Sequence, residues 1–263
     1  MGDGKALQSC TSHNLGQNFA KAFEIKYLDK NNQQQYCWTT SWGFSTRFIG
    51  ALIMVHGDDQ GLIMPPRLAP YQVVIVPIAK NDAEKEKVMP VVNKIRAELV
   101  AADVRVKVDE RDETPGFKYN DWEMRGVPLR IELGPKDVEK GSVAMARRDI
   151  PGRDGKSFVS QNGIAETAKA MLNTIHKALY DRALKMRDDN THDPKDYDEF
   201  KKVVEKGFAL SYWCSEAECE AKIKEETKAT TRCIPLDGQP TEAGKCIHCG
   251  KMAKEKALFA KAY

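Results

Sequence analysis

Apolar residues recur with two different periods along this chain, and the changes of period divide it into three stretches. In residues 1–70, Phe23, Ile25 and Tyr27 alternate, DKNNQQ supplies a polar turn, and Tyr36, Trp38, Thr40 and Trp42 alternate back, which predicts antiparallel strands. From Ser45 the apolar positions shift to helical spacing, Phe48, Ile49, Leu52 and Ile53, and the helix should end near Gly57. PPRLAP, at 65–70, cannot continue regular structure and marks a domain boundary.

Residues 71–178 alternate strand and helix. YQVVIVPI is a continuous apolar run, as expected of a strand covered on both faces. Asn81 with Glu84 three residues later has the pattern of a helix start, and Val88, Val91, Val92, Ile95 and Leu99 follow at helical spacing. Pro90 lies early in that pattern and predicts a late start or a kink. VRVKVD (104–109), LRIEL (129–133) and SVAMARRD (142–149) are further strands, with a loop and short helix ending at Gly126 between the first two. A long helix carries Ile164, Ala168, Met171, Leu172, Ile175 and Leu179 on one face. This order predicts a mixed sheet with helices packed on it.

Residues 179–263 change character. KMRDDNTHDPKD reads as a solvated linker, followed by a short helix, YDEFKKVVEKG, and a cluster of cysteines.

Composition narrows the classes. With 41% hydrophobic and 30% charged residues the chain has the balance of a soluble globular protein, and its longest apolar run, IGALIMV, is too short to span a bilayer. MGDGKALQ has no apolar core for a signal peptide, and Ala6 departs from the myristoylation pattern, so a cytoplasmic protein is expected. A net charge of +3 does not by itself indicate nucleic acid, so any such reading must rest on local residues.

Five of the seven cysteines lie between 214 and 249. Cys214-x4-Cys219 and Cys246-x2-Cys249 form two close pairs, suited to a tetrahedral four-thiolate zinc site that would be structural because no position is left open for water. Reduced buried thiols and a redox pair are the alternatives. Cys233 is expected to be a packed thiol, and His248, between two ligands, to face solvent.

Arg47 stands at the predicted N-terminus of the apolar helix, where a cation adds to the positive end of the backbone dipole. Either it pairs with a carboxylate of its own chain or it helps hold an anion there. Trp42 and Gly43 just upstream offer a flat wall and a bare backbone. In LQSCTSHNLGQNF (7–19), Gln8, Thr11 and His13 could hydrogen-bond a small polar ligand.

Taken together, QSCTSHNLGQNFAKAFEI and TTSWGFSTRFIGALIMVHGDDQGLIMPPRLAPYQVVIVPI resemble prolyl-tRNA synthetases of the archaeal and eukaryotic-like type. PGFKYNDWEMRGVPLRIELGPKD is similar to their anticodon-binding domain; YWCSEAECEAKIKEETKATTRCIP and GKCIHCGKMAKEKALFAKAY are similar to their C-terminal zinc domain. The resemblance implies an α/β and α+β fold: part of a class II synthetase antiparallel sheet (1–70), a mixed-sheet anticodon-binding domain (71–178) and a small zinc-binding α+β domain (179–263). It implies ATP contacts from Gln8, Thr11, Ser45, Thr46 and Arg47, proline contacts from His13, Trp42 and Gly43, and anticodon contacts from Glu123, Arg130 and Lys136. It also implies L-proline, ATP, Mg²⁺, structural Zn²⁺ and tRNA(Pro) as partners, a homodimer in the full-length family, and the apolar helix as a buried post for Arg47. No counterpart of motifs 1 and 2 is found in these residues, so they are expected to be one piece of a longer polypeptide, inactive in proline activation alone. The competing reading is a non-catalytic, zinc-stapled anticodon-binding protein.

Overall fold

The computed structural model describes residues 1–263, and the chain divides into two compact units, Met1–Ala51 with Asn190–Tyr263, and Leu52–Asp189. The first stretch forms β1 (Cys10–Gly16), α1 (Asn18–Ala22), β2 (Lys26–Leu28), β3 (Gln34–Tyr36) and β4 (Thr39–Phe44), followed by α2 (Arg47–His56). β1 and β4 pair antiparallel with His13 opposite Ser41, and β2 and β3 make a separate hairpin. Phe23 is not in a strand; it is the C-cap of α1. Helix α2 lies where its spacing predicts, yet it is not a buried post: none of its residues is buried, and Ile49 is 62% exposed. Helical periodicity specifies which face is apolar, not that the face is covered.

The second unit contains β5 (Val73–Pro77), α3 (Asp82–Ala101), β6 (Val106–Val108), α4 (Pro115–Met124), β7 (Leu129–Leu133), α5 (Pro135–Lys140), β8 (Ser142–Arg147), β9 (Lys156–Ser160) and α6 (Ile164–Asp189). They build the expected mixed sheet in the order β6-β5-β7-β8-β9, with β5 parallel to β6 and β7 and the remaining pairs antiparallel. The continuous apolar run of β5 has a direct physical cause. Val73 and Ile75 pack in one core with Val88, Val92, Ile95 and Leu99 of α3 and Ile164, Ala168, Leu172 and Ile175 of α6, while Val74 and Val76 pack on the other face with Trp122 of α4.

Asn81 caps α3, its Oδ1 accepting from the Glu84 N–H at 2.9 Å. The Glu84 carboxylate returns to the N–H of Lys80, at 2.8 Å, instead of that of Asn81. The expected late start is absent. α3 begins at Asp82 and continues through Pro90, whose exposed position lets water take the carbonyl left without a partner. The charged stretch at 185–196 is likewise not a linker throughout. KMRDD forms the end of α6, where Lys185 pairs with Asp189 one turn on at 2.7 Å, and Thr191–His192 form a short strand.

The C-terminal stretch comprises β10 (Thr191–His192), α7 (Tyr197–Lys206), β11 (Phe208–Trp213), α8 (Ala217–Thr227), β12 (Ala229–Cys233), β13 (Gly244–Lys245), β14 (Met252–Ala253) and β15 (Glu255–Lys261). Its four-stranded sheet runs β10-β11-β15-β12, and a small core of Phe200, Val204, Ile223 and Phe259 lies against it. Cys233 ends β12 and is exposed, contrary to the packed thiol expected; a register irregularity between Thr231 and Cys233 breaks the alternation that would have set it on the face of the buried Ala229.

Beyond β6, the buried carboxylate of Asp109 accepts from Trp122 Nε1 at 2.7 Å and from Arg111 Nε and Nη2 at 2.9 and 2.8 Å. Burial opposes its ionisation, but the Arg111 and Trp122 bonds prevail and hold its pKa down at about 2. A depressed folded-state pKa contributes stability that is fully present above the ordinary value near 4 and is lost as pH falls through about 2. Asp109→Asn is therefore expected to cost on the order of 2 kcal/mol at neutral pH and less as the pH falls below about 4. Urea unfolding of both proteins at pH 7, 4 and 2.5 checks this, and a gap independent of pH would contradict it.

Candidate functional site

On the α4 face of the sheet, β7 places Arg130 and Glu132 two residues apart, so both side chains leave the same side as Val74 and Val76 of β5, their register partners. Arg130 Nη1 donates to Glu123 Oε1 at 2.6 Å, and its Nε donates to Glu132 Oε1 at 3.1 Å. Lys156 Nζ, from β9, donates to Glu132 Oε2 at 2.6 Å. The result is a line of alternating charge, Glu123–Arg130–Glu132–Lys156. It crosses Ala144 and Ala146 of β8, the register partners of Glu132 and Arg130, whose small side chains leave room for it. Below it the Arg130 guanidinium lies 4.0 Å from the Tyr119 ring centroid, a cation–π contact. Burial and the neighbouring Glu132 charge push the Tyr119 phenol upward, so it stays neutral.

Glu123 and Arg130 line a cavity of about 270 Å³ with Trp122, Arg147 and Arg148. The buried Arg148 fixes this rim. Its Nε donates to the Glu123 carbonyl at 2.9 Å, and its Nη1 donates to Asp58 Oδ2 at 2.8 Å, holding the Asp58 carboxyl below the ordinary carboxylate range. Lys136, in the first turn of α5, does not line the cavity. Of the residues around this line the sequence singles out Glu123 and Arg130; Tyr119, Glu132, Arg148, Lys156 and the 70% exposed Phe158 join them only in the structure. The alternation in KSFVS (156–160) was the available signal for the last two, since it sends Lys156 and Phe158 to one face.

A second grouping lies on the β1–β4 ribbon. Gln8, Thr11, Gly43, Ser45 and Arg47 border an open cleft of about 320 Å³ with Ser9, Cys10 and Phe44. Thr11 faces Gly43 across the pair, and no atom lies within 4 Å of where a Gly43 side chain would begin, so the backbone is bare there. Arg47 forms no ion pair within the chain, and its N–H donates to Ser45 Oγ at 3.3 Å. Thr46, His13 and Trp42 do not border this cleft. His13 shares the ribbon face of Thr11, two cross-strand pairs along, whereas Trp42 opposes Ser12 on the other face and is 79% exposed.

The third grouping is the thiol cluster. Cys214 lies just beyond β11, Cys219 on α8, and Cys246 and Cys249 on the turn between β13 and β14. Cys219 and Cys246 Sγ are 3.7 Å apart, Cys249 and Cys214 Sγ are 3.6 Å apart, and all four lie within 4.8 Å of one another. Sulfurs at about 2.3 Å from a tetrahedral zinc are separated by roughly 3.8 Å, so this donor set fits zinc and leaves no open position. Burial pushes the Cys214 and Cys219 thiols up. Burial acts on Cys246 in the same direction, but backbone N–H groups of Cys249, His248 and Cys214 outweigh it and bring the thiol down to about 7. His248 is not turned to solvent as expected: its Nδ1 lies 3.5 Å from Cys219 Sγ and its ring meets Tyr197 edge-on. No helix is long and apolar enough to cross a membrane.

Residues 72–158 match the family described as Anticodon binding domain, and residues 197–263 match Prolyl-tRNA synthetase, C-terminal. Over 264 aligned positions the chain is 59% identical to Proline--tRNA ligase of Roseiflexus sp. (strain RS-1), an alignment covering 100% of this chain and 55% of that protein. It is 56% identical to Proline--tRNA ligase of Chloroflexus aurantiacus (strain ATCC 29366 / DSM 635 / J-10-fl), with the same coverage. It is 50% identical to Proline--tRNA ligase 2 of Clostridioides difficile (strain 630), covering 100% of this chain and 54% of that one. The chain thus spans about half the length of the curated relatives it matches.

The thiol geometry predicts one tightly held zinc per chain, and Cys246→Ser should abolish it along with the protection of β11 and β15 amides in hydrogen exchange. Elemental analysis and exchange on both proteins check this. Full protection in metal-free protein would contradict it.

Proposed function

Because the chain belongs to the prolyl-tRNA synthetase family, as its C-terminal portion, we propose that it grips the anticodon end of tRNA(Pro) within a proline–tRNA ligase. The observation that carries this reading is the Glu123–Arg130–Glu132–Lys156 line, whose first two members border a polar cavity on the domain matched as anticodon-binding. A guanine has two acceptors that suit a guanidinium fork and an amino edge that suits a carboxylate. Glu123 and Arg130 offer both from one place, and their mutual bond keeps them ordered until a base replaces part of it. RNA is read in this way at unstacked loop bases. Lys136 pairs with backbone phosphate, and the exposed Phe158 beside Lys156 is a face on which a base can stack.

The Arg47 cleft belongs, in this reading, to the activation site of a proline–tRNA ligase acting in the cytoplasm. Proline's carboxylate attacks the α-phosphorus of ATP, pyrophosphate leaves, and the adenylate then acylates the terminal ribose of tRNA. The chemistry needs no nucleophilic side chain. Arg47, with no internal ion pair, and Ser45, Gln8 and Thr11 border this cleft and hold the nucleotide, with Thr46 beside them in the chain; Mg²⁺, when bound, would share the phosphate charge. His13 and Gly43 share one ribbon face and border proline, whereas Trp42 leaves the opposite face and stands apart from that wall.

Arg130→Ala and Glu123→Ala are expected to weaken tRNA(Pro) binding by about tenfold to a hundredfold, from roughly 1–3 kcal/mol per base contact, without changing affinity for a tRNA whose anticodon guanines are replaced. Arg47→Ala should leave tRNA binding intact and lower ATP affinity in calorimetric titration. Equal ATP affinity with intact tRNA binding would favour the non-catalytic anticodon-binding reading. Equal loss on both tRNAs would contradict base reading by Glu123 and Arg130.

A further inference from the structure

The zinc-type cluster has a neighbour that its ligand spacing does not require. His248 lies between Cys246 and Cys249 on the tight turn, and its ring folds back over α8, so that Nδ1 comes within 3.5 Å of Cys219 Sγ. Its other nitrogen, Nε2, lies 3.6 Å from Glu226 Oε1, about two helical turns beyond Cys219 on the same helix. Tyr197 closes the third side, its ring centroid 5.0 Å from that of His248 at an interplanar angle of 81°. Tyr197 in turn stacks on the fully buried Phe200 at 5.6 Å, which ties the imidazole to the small hydrophobic core. The ring is therefore fixed from three directions, and only 16% of its side chain is exposed.

We propose that His248 is a positioning residue of the metal centre, donating its Nδ1–H to the Cys219 sulfur while a second proton on Nε2 faces the Glu226 carboxylate, with the Tyr197 ring fixing its plane. Four thiolates around a divalent ion leave a net charge of −2, and donors to the sulfurs spread that charge and fix the direction of each lone pair. Cys246 receives backbone amides from its own turn, and Cys214 receives the amide of Glu216. Cys219 stands in the first turn of α8, and the groups that meet its sulfur are Cys246 Sγ and the His248 ring, so the imidazole is the donor placed to serve it. The carboxylate–imidazole–sulfur order is the arrangement by which an outer residue tunes a ligand it does not replace.

Two substitutions separate hydrogen bonding from packing. His248→Phe keeps a ring against Tyr197 and removes the donor, whereas His248→Asn loses the ring and retains an N–H near the position of Nδ1. Each chain is loaded with cobalt(II) and with zinc, recording the sulfur-to-cobalt charge-transfer band and the zinc affinity by chelator competition. We expect His248→Phe to move the band to lower energy and to weaken zinc binding by about tenfold to a hundredfold. His248→Asn should stay close to the parent on both readouts, and Glu226→Gln should move both part of the way. Phe equal to the parent, or Asn as impaired as Phe, overturns the proposal. Should the Phe variant fail to fold, the Asn and Glu226→Gln proteins decide: a parental band in Asn with a shifted band in Gln supports it, and any other combination overturns it. A parent chain that takes up neither metal overturns the four-thiolate site itself, and the proposal with it.

Discussion

Strand β5 constrains the whole of the central unit. Val73 and Ile75 are covered by α3 and α6 while Val74 and Val76 are covered from the α4 side, so this strand is buried on both faces. All four residues are apolar, so its register is held by the ladders to β6 and β7 and by the fit of each side chain, not by a polar face. Its register with β7 then fixes Arg130 beside Val74 and Glu132 beside Val76. Everything polar on that face is placed by an apolar decision made one strand away. The same cover explains why α4 stays down on the sheet: Trp122 contributes to that core and donates to Asp109 from its indole edge.

On this rigid base the charged residues form a partnered series instead of an open basic patch. Exposed ion pairs stabilise little, but here Arg130 and Glu132 are nearly covered, so each needs its neighbour to offset the loss of hydration. An arrangement of this kind is selective. A ligand gains by contacting Arg130 or Glu123 only if it returns the hydrogen bonds it displaces, which a base edge does and a simple anion does not. That is consistent with a chain whose overall charge is only +3. The Arg47 cleft shows the opposite design. There a guanidinium stands without a partner at a helix N-terminus, in a setting suited to an anion of high charge.

Periodicity made the sheet order legible because β5, β7 and α6 each show a single unambiguous period, and two close cysteine pairs made the metal cluster legible. What stayed hidden depends on contacts between distant segments. The donor role of His248 requires knowing that α8 brings Glu226 beneath the turn, and the partnering of Lys156 requires knowing that β9 pairs with β8. Charge density at Lys185 to Asp189 suits a linker and a paired helix end equally, and the pairing of residues one turn apart decides for the helix. The exposed α2 marks a different limit, since an apolar stripe records a tendency to be covered without saying by what. Glu123 and Arg130 were found through resemblance to a family motif; the line of four charges they belong to was not in any local spacing.

Hydrogen exchange measured with and without tRNA(Pro) tests the central claim most directly. The account predicts added protection at the C-terminal half of α4, across β7 to β9 and at the Arg147–Gly152 rim, with little change along α3 and α6 behind the sheet. Protection confined to α3 and α6, with the Glu123–Arg130 face unaffected, would contradict it.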